Sequence, residues 1–331
     1  MEPIQRPQDL QYQLMDFRTS YLRAVARATV DLDFRKLLTG GSINPLVILK
    51  DYFGYECPWD LTLVLKDDSE LAPRMNIANG TVMTQPFRGE SLIIYIPDKP
   101  KRPDGKDAPP VVVMEALAAY YDLTPFLLPD RAGRADQGKP KYEPVDDHPP
   151  PRWFSVNMFP DTTTRFDLGV AVDQFISFAA AMFNAVALAW DNTRFKDLLT
   201  KHSPPQLGDQ PHPAKQGDHP LAGTSVEPPS EESAIGLLRT WLGYKYPWMM
   251  NLRVMIDENA EFTPVTDPTA DNQGKGKWKI KAPQLTLTLP WMTGASSAKQ
   301  ETELNQKDTH VAIMGVTLYN TDGPGYPFTC G

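Results

Sequence analysis

The residues close to the carboxyl end of the sequence are the first that could take part in chemistry. A stretch rich in glycine and proline, Gly323-Pro324-Gly325-Tyr326-Pro327, leads into Phe328-Thr329-Cys330-Gly331. A hydroxyl and a thiol at a free terminus are accessible to another enzyme, so Thr329 and Cys330 are candidate modification sites. The alternative interpretation is a frayed tail that carries an incidental cysteine.

Histidines and aspartates also gather in one loop of the second half. The set consists of His202, His212, His219, Asp209 and Asp218. Their spacings match no established pattern of metal ligands, and loops rich in proline collect such residues by composition. We therefore expect no metal site and no cofactor.

Catalytic residues are not indicated by any motif. Nucleophilic catalysis needs a serine or cysteine beside a base, usually histidine, and the sequence has no Gly-x-Ser-x-Gly elbow. It has no glycine-rich phosphate loop either. The adjacent carboxylates lie where turns or helix caps would place them: Asp67-Asp68, Asp146-Asp147 and Glu231-Glu232. The sequence predicts no catalytic residue and a protein that is not an enzyme.

Charge and hydropathy limit the possible partners and compartments. The net charge is −8, and no basic stripe with interleaved aromatics is present, so we expect no nucleic-acid binding. The longest apolar stretch, 175–190, contains Ser177 and Asn184, falls short of a membrane span, and reads as a helix buried nearly all round. The amino-terminal residues lack the layout of a Sec signal. We expect synthesis in the cytoplasm, which leaves later export open.

The elements that position these residues come from an internal duplication. Gly54-Tyr55-Glu56-Cys57-Pro58-Trp59 returns as Gly243-Tyr244-Lys245-Tyr246-Pro247-Trp248, and an alternating apolar stretch follows each copy. The residues that the two copies share are Gly54, Tyr55, Pro58, Trp59, Gly243, Tyr244, Pro247 and Trp248. Their repetition favours a structural role at a helix-to-strand turn, where glycine supplies a positive φ and proline ends the helix.

The offset between matching residues locates the domains. Fewer residues separate Phe34 from its counterpart Phe195 than separate Gly54 from its counterpart Gly243. The second half therefore carries an insertion between Phe195 and Gly243. The insertion corresponds to about 203–230, which is rich in Pro, Gly, Asp and His. The prediction is a first repeat over 1–130, a Pro-rich linker over 131–152, and a second repeat over 153–331.

Each repeat reads as helices followed by strands. Leu14, Phe17, Tyr21, Val25 and Ala28 have helical spacing, and Leu61, Leu63 and Leu65 alternate like a strand. We therefore predict an α+β fold in which each half forms N-terminal helices and then a small antiparallel sheet, joined by Pro-rich connectors. The segment 111–121 has features of both helix and strand, and the sequence leaves the two alternatives open.

Several short motifs resemble a known family. Phe34-Arg35-Lys36-Leu37-Leu38 and Phe195-Lys196-Asp197-Leu198-Leu199 resemble the nitrile-hydratase-type leader of precursors of ribosomally made, modified peptides. The Ala118-Ala119-Tyr120-Tyr121 and Pro327-Phe328-Thr329-Cys330 segments look like one subset, the bacteriocin-like precursors of thiazole/oxazole-modified microcins. The resemblance implies two such precursors fused in tandem, a cyclodehydratase-type partner, and ring formation at Thr329 and Cys330. It does not imply nitrile hydratase activity, because the cysteine-rich metal loop of that enzyme is absent.

A second hypothesis is a self-assembling structural subunit. Duplicated domains offer two similar surfaces for head-to-tail contacts, which propagate into filaments, tubes or shells when they do not close. This hypothesis predicts self-association, and it is compatible with the precursor hypothesis.

Overall fold

The computed structural model describes residues 7–59, 61–67, 74–76, 81–83, 91–123, 168–201, 233–248, 250–264 and 276–293. The linker 131–152, the insertion 203–230 and both candidate modification sites, Thr329 and Cys330, lie outside the described residues.

Seven helices and nine strands lie within these ranges. The helices are α1 (Pro7–Val30), α2 (Leu32–Thr39), α3 (Pro45–Phe53), α4 (Pro110–Leu123), α5 (Leu168–Asp191), α6 (Thr193–Thr200) and α7 (Ala234–Leu242). The strands are β1 (Thr62–Lys66), β2 (Arg74–Asn76), β3 (Thr81–Met83), β4 (Ser91–Ile96), β5 (Asn251–Ile256), β6 (Glu261–Thr263), β7 (Lys277–Lys279), β8 (Gln284–Thr288) and β9 (Trp291–Thr293). The predicted α+β class is confirmed.

The helices of the first half follow from their caps and apolar spacing. The five apolar residues with helical spacing on α1 are all buried. Helix α3 begins at Pro45, after Asn44, whose side chain accepts a hydrogen bond from the backbone N–H of Leu46 at 3.0 Å. It ends at Gly54, which has a φ of 68° and therefore adopts the left-handed conformation that glycine accommodates best.

The second half contains helices of matching length and cap geometry. Helices α1 and α5 each have 24 residues, and α2 and α6 each have 8. The N-cap of α2, Asp31, has φ −123° and ψ 96°, and the N-cap of α6, Asn192, has φ −127° and ψ 97°. Helix α7 ends at Gly243 with a φ of 68°, as α3 does at Gly54. A common origin of the halves by duplication remains a prediction.

The strand pairing differs from the predicted antiparallel sheet in each half. One four-stranded sheet has the order β1-β8-β4-β5, so strands of the first half alternate with strands of the second. β1 pairs with β8 and β4 with β5 in parallel, while the central pair β4–β8 is antiparallel. The alternation of apolar residues predicted the buried face of β1, whereas β8 buries both of its faces, and the alternation carries no information about the neighbours of a strand.

One of the smaller pairings, that of β2 with β9, also crosses between the halves. β2 pairs with β3 antiparallel and with β9 parallel, whereas β6 and β7 form an antiparallel pair. The helices of both halves and the four-stranded sheet share one hydrophobic core.

Two further expectations are settled within the described residues. The segment 111–121 is helical, as part of α4, because its alanines favour a helix and proline occupies the first position. The expectation of a helix buried nearly all round is wrong for α5, since Ile176, Ser177, Ala180 and Asn184 form an exposed stripe at helical spacing. No described helix is long and apolar enough to cross a membrane.

Candidate functional site

The first repeated motif packs around Phe17 of α1. The ring of Phe17 lies 5.9 Å from that of Tyr55 and 6.1 Å from that of Trp59, measured between centroids. The indole Nε1 of Trp59 donates a hydrogen bond to Oε1 of Gln13 at 3.1 Å. Because Gly54 turns the chain sharply after α3, the two aromatic side chains that follow it both reach α1.

The second motif packs around Phe178 of α5 in the same way. Phe178 corresponds to Phe17 when the long helices of the two halves are aligned on the Phe34 and Phe195 motifs. Its ring centroid lies 6.2 Å from Tyr244, 5.6 Å from Tyr246 and 4.9 Å from Trp248. Both motifs therefore place aromatic side chains against the long helix of their own half, a geometry consistent with the structural role that the sequence predicts for them.

The second motif contains several buried polar groups. The hydroxyls of Tyr244 and Tyr246 and the Nε1 of Trp248 are buried and have no hydrogen-bond partner among the described residues. Burial raises the pKa of Tyr246 well above its ordinary value, and the neighbouring Tyr244 adds to the increase. Burial alone raises the pKa of Tyr244. These phenols stay protonated across the physiological pH range.

Cys57 takes the place in the first motif that Tyr246 takes in the second. Its side chain is only 4% exposed, and its Sγ donates a hydrogen bond to the carbonyl oxygen of Trp59 at 3.4 Å. A buried thiol in such surroundings is inert toward oxidants and other proteins. Cys57 is therefore a packing residue.

A buried arginine joins the two halves at the end of β8. The guanidinium of Arg35 contacts both carboxylate oxygens of Asp67 at 2.9 Å. It also donates to the carbonyl oxygen of Pro290 at 2.8 Å and to that of Leu289 at 3.2 Å. Arg35 belongs to the first half and the two carbonyls to the second. The planar fork of arginine suits this geometry, because it binds a carboxylate with two parallel bonds and can still donate to further acceptors.

The end of β4 is held by the second half in a related way. Nε1 of Trp190 donates to the carbonyl oxygen of Pro97 at 2.9 Å, and Lys196 forms an ion pair with Asp98. Lys196 stands directly after Phe195, as Arg35 stands directly after Phe34. Each half thus supplies hydrogen-bond donors to the strand end of the other.

A third contact between the halves involves α4 and the β6–β7 pair. Nε1 of Trp278 donates to the carbonyl oxygen of Ala116 at 2.7 Å, and the Trp278 ring lies 5.1 Å from that of Phe262. The Phe262 ring packs against Gly276, where a Cβ would lie 2.3 Å from the ring, so the position has no room for a side chain. The ammonium of Lys281 also lies 4.4 Å from the centroid of Tyr95 in the other half.

The described residues contain no group of His, Cys, Asp or Glu that could hold a metal ion. All five histidines of the sequence, together with Thr329 and Cys330, fall outside the described ranges, so the expectations for them are not tested. The eight motif residues lie at two separate turns, one in each half.

Sequence reasoning missed the role of Arg35. The residue stands in the Phe34-Arg35-Lys36-Leu37-Leu38 motif, which was noted only for its family resemblance. An arginine between apolar positions of a short helix was the available signal, because a buried charge needs a partner from elsewhere in the chain.

A comparison with protein families gives one match. Residues 12–127 match the model of a family described as "Ribosomal natural product, two-chain TOMM family". The match covers about a third of the chain and extends from within α1 to just beyond α4. No curated protein and no solved structure matches the chain. The first half is therefore similar to ribosomal natural-product precursors, which are substrates of modifying enzymes.

Proposed function

We propose that this chain is a non-catalytic precursor of the modified-microcin type, with two leader-like halves that carry Thr329 and Cys330 as modification sites. The observation that carries the proposal is the family match over residues 12–127, which includes most of α1 and all of α2, α3 and α4. In this account the folded halves are the surface that a cyclodehydratase-type enzyme binds. Such an enzyme meets the precursor in the cytoplasm, where the precursor is synthesised.

The chemistry of ring formation supports modification outside the helices and strands. In the reaction the Cys330 thiol attacks the carbonyl carbon of Thr329, and the Thr329 hydroxyl attacks that of Phe328. The carbonyl oxygen leaves as water, the amide nitrogen loses its hydrogen, and a five-membered ring closes. Removal of two hydrogens by a separate oxidant then gives the azole.

A helix or strand resists this reaction, because its hydrogen bonds use the backbone groups that ring formation consumes. The amide N–H and the preceding carbonyl are both bonded in regular secondary structure, and losing them costs free energy. Thr286 and Thr288 of β8 are buried within the sheet, at 2% and 1% exposure. Cys57 is buried as well. The sequence contains two cysteines, so these observations favour Cys330 as the modified one.

Reconstitution with a cyclodehydratase of this class tests the proposal. The purified chain is incubated with the enzyme and ATP, and the products are mapped by tandem mass spectrometry. We expect loss of one water per ring at Thr329 or Cys330 in the parent protein and in the control Cys57→Ala. The loss at position 330 should vanish in Cys330→Ala, and the loss at position 329 in Thr329→Val. A parent protein that binds the enzyme but loses no water would contradict the proposal.

A self-assembling structural subunit is the second candidate function. Helix α4 favours it, because Val111 is 77% exposed and Met114 is 64% exposed on one helix face, beside the exposed Ala118. A contiguous apolar face on a surface helix is typical of a contact between proteins. Light scattering across a concentration series tests this candidate. Growth in mass that Met114→Glu abolishes would support it, and a constant monomer mass would count against it.

A further inference from the structure

We infer that neither half folds on its own. Each half requires a complementary half of the same architecture as its folding partner. The inference is independent of the precursor function proposed above. It rests on the strand order, the register and the side chains that cross between the halves.

Neither half keeps two neighbouring strands of the four-stranded sheet for itself. β1 and β4 belong to the first half, but β8 of the second half lies between them. Likewise β4 of the first half separates β8 from β5. A half on its own would leave its two strands of this sheet without their partners, and their unpaired N–H and C=O groups would either bind another strand or remain in water.

The register pairs residues at equivalent positions of the two repeats in the same way in both outer strand pairs of the sheet, β1–β8 and β4–β5. Leu63 is the partner of Leu285, and Leu92 is the partner of Leu252. By the offsets of the repeats, Leu63 corresponds to Leu252 and Leu92 to Leu285. The central pair joins Leu92 to Leu285. The sheet therefore has approximate twofold symmetry, which is the symmetry of a dimer of half-units.

The side chains that cross between the halves favour the pairing of a first half with a second half over the pairing of two identical halves. Asp67, which holds Arg35, corresponds to Ile256, so a pair of second halves would lack this carboxylate. Trp190, which binds the carbonyl of Pro97, corresponds to Thr29, so a pair of first halves would lack this indole donor. Only the mixed pair contains both sets of contacts.

Cleavage of the folded full chain tests the association of the halves. A recognition sequence for a specific protease is inserted into the linker 131–152, and the folded protein is cut there. We expect the two fragments to elute together in native size-exclusion chromatography and to separate only in denaturant. After separation, each should regain a cooperative unfolding transition only when mixed with the other. Two fragments that separate as folded monomers without denaturant would overturn the inference.

Engineered disulfides test the strand order without cutting the chain. Thr62→Cys with Gln284→Cys joins neighbours on β1 and β8, whose paired Cα atoms lie within reach of a disulfide. The matched control, Thr62→Cys with Ile93→Cys, joins the residues of β1 and β4 that flank Gln284 and that would be neighbours if the two strands formed an antiparallel pair within the first half. Both variants are made in a Cys330→Ser background. We expect a crosslink in the first variant and none in the control, and the reverse pattern would overturn the inference.

Discussion

Leu92 and Leu285 lie opposite each other at the centre of the four-stranded sheet, although they belong to different halves of the sequence. Leu63 and Leu252 continue the same row on either side, so one buried leucine from each strand spans the sheet. The row joins the hydrophobic cores of both halves. Packing at this row should therefore control the stability of the whole protein and not of one half alone.

The substitution Leu285→Ala tests the row directly. It removes a side chain that is fully buried between strands of the first half, and we expect a loss of about 2–5 kcal/mol of unfolding free energy. Urea unfolding, followed by circular dichroism and by tryptophan fluorescence, should show a single transition at a lower midpoint. Leu32→Ala is the control, because Leu32 is 48% exposed and its loss should cost at most about 0.5 kcal/mol. Two separate transitions in the parent protein would contradict a shared core.

Arg35 gives a second prediction. Arg35→Met leaves the carboxylate of Asp67 and two strand-end carbonyls without their donor, and we expect a loss of about 2–3 kcal/mol. This expected loss of unfolding free energy is smaller than the loss for a fully buried ion pair, because the Asp67 side chain is 24% exposed and water can solvate it.

The control for Arg35 is its neighbour on the same helix. Lys36 is 74% exposed and pairs with the exposed Asp33, so Lys36→Met should change stability by less than about 0.5 kcal/mol. Chemical denaturation measures both variants. Equal effects of the two substitutions would contradict the role of Arg35 as a link between the halves.

Gly243 provides a test of backbone conformation. Its φ is 68°, and a Cβ there would meet nothing within 4 Å, so the effect of a substitution reports conformation alone. We expect Gly243→Ala to cost about 1–2 kcal/mol and Gly243→Asn to cost less, because asparagine tolerates the left-handed region better. Thermal unfolding of both variants measures the difference. Equal stability of the alanine variant and the parent would show that this turn adopts another conformation in solution.

The buried phenols predict sensitivity to alkaline pH. A raised pKa means that folded Tyr246 keeps its proton at a pH where the unfolded chain loses it. The resulting contribution to stability is fully present below the ordinary tyrosine pKa of 10.0 and is lost as the pH rises above it. The folded state of the parent protein should therefore weaken steeply above that pH.

Tyr246→Phe should reduce that loss. At neutral pH we expect it to be neutral or slightly stabilising, since the hydroxyl has no hydrogen-bond partner among the described residues. Urea unfolding at neutral pH and above the ordinary tyrosine pKa compares the two proteins, and the neutral series serves as the internal control. A strongly destabilised variant at neutral pH would imply that the hydroxyl binds a partner in solution.

Local structure could be predicted from the sequence because it depends on neighbouring residues. Asn44 followed by Pro45 is a residue order typical of a helix start, and Gly54 is typical of a helix end; α3 has these caps. The acidic pair Glu231-Glu232 is typical of a helix N-terminus in general and does not identify the capping residue of α7. The structure has Ser233 as the N-cap, where its hydroxyl accepts the N–H of Gly236 at 3.0 Å.

The strand order could not be predicted in this way. Alternation of leucines in β1 and β8 predicts that one face of each strand is buried, and it fits any neighbour with a similar pattern. The order depends on contacts between residues far apart in the sequence, such as Arg35 with Pro290. The motif of Arg35 was visible, but its partner carbonyl belongs to the backbone of the other half and has no signature in the sequence.

The most direct test of the precursor function is intact and tandem mass spectrometry of the protein from its native producer, focused on the peptide that contains Thr329 and Cys330. The account predicts loss of water, or of water and two hydrogens, localised to one of these residues, with Cys57 unchanged. A complete and unmodified peptide would contradict it and would leave the self-assembling structural subunit as the better explanation.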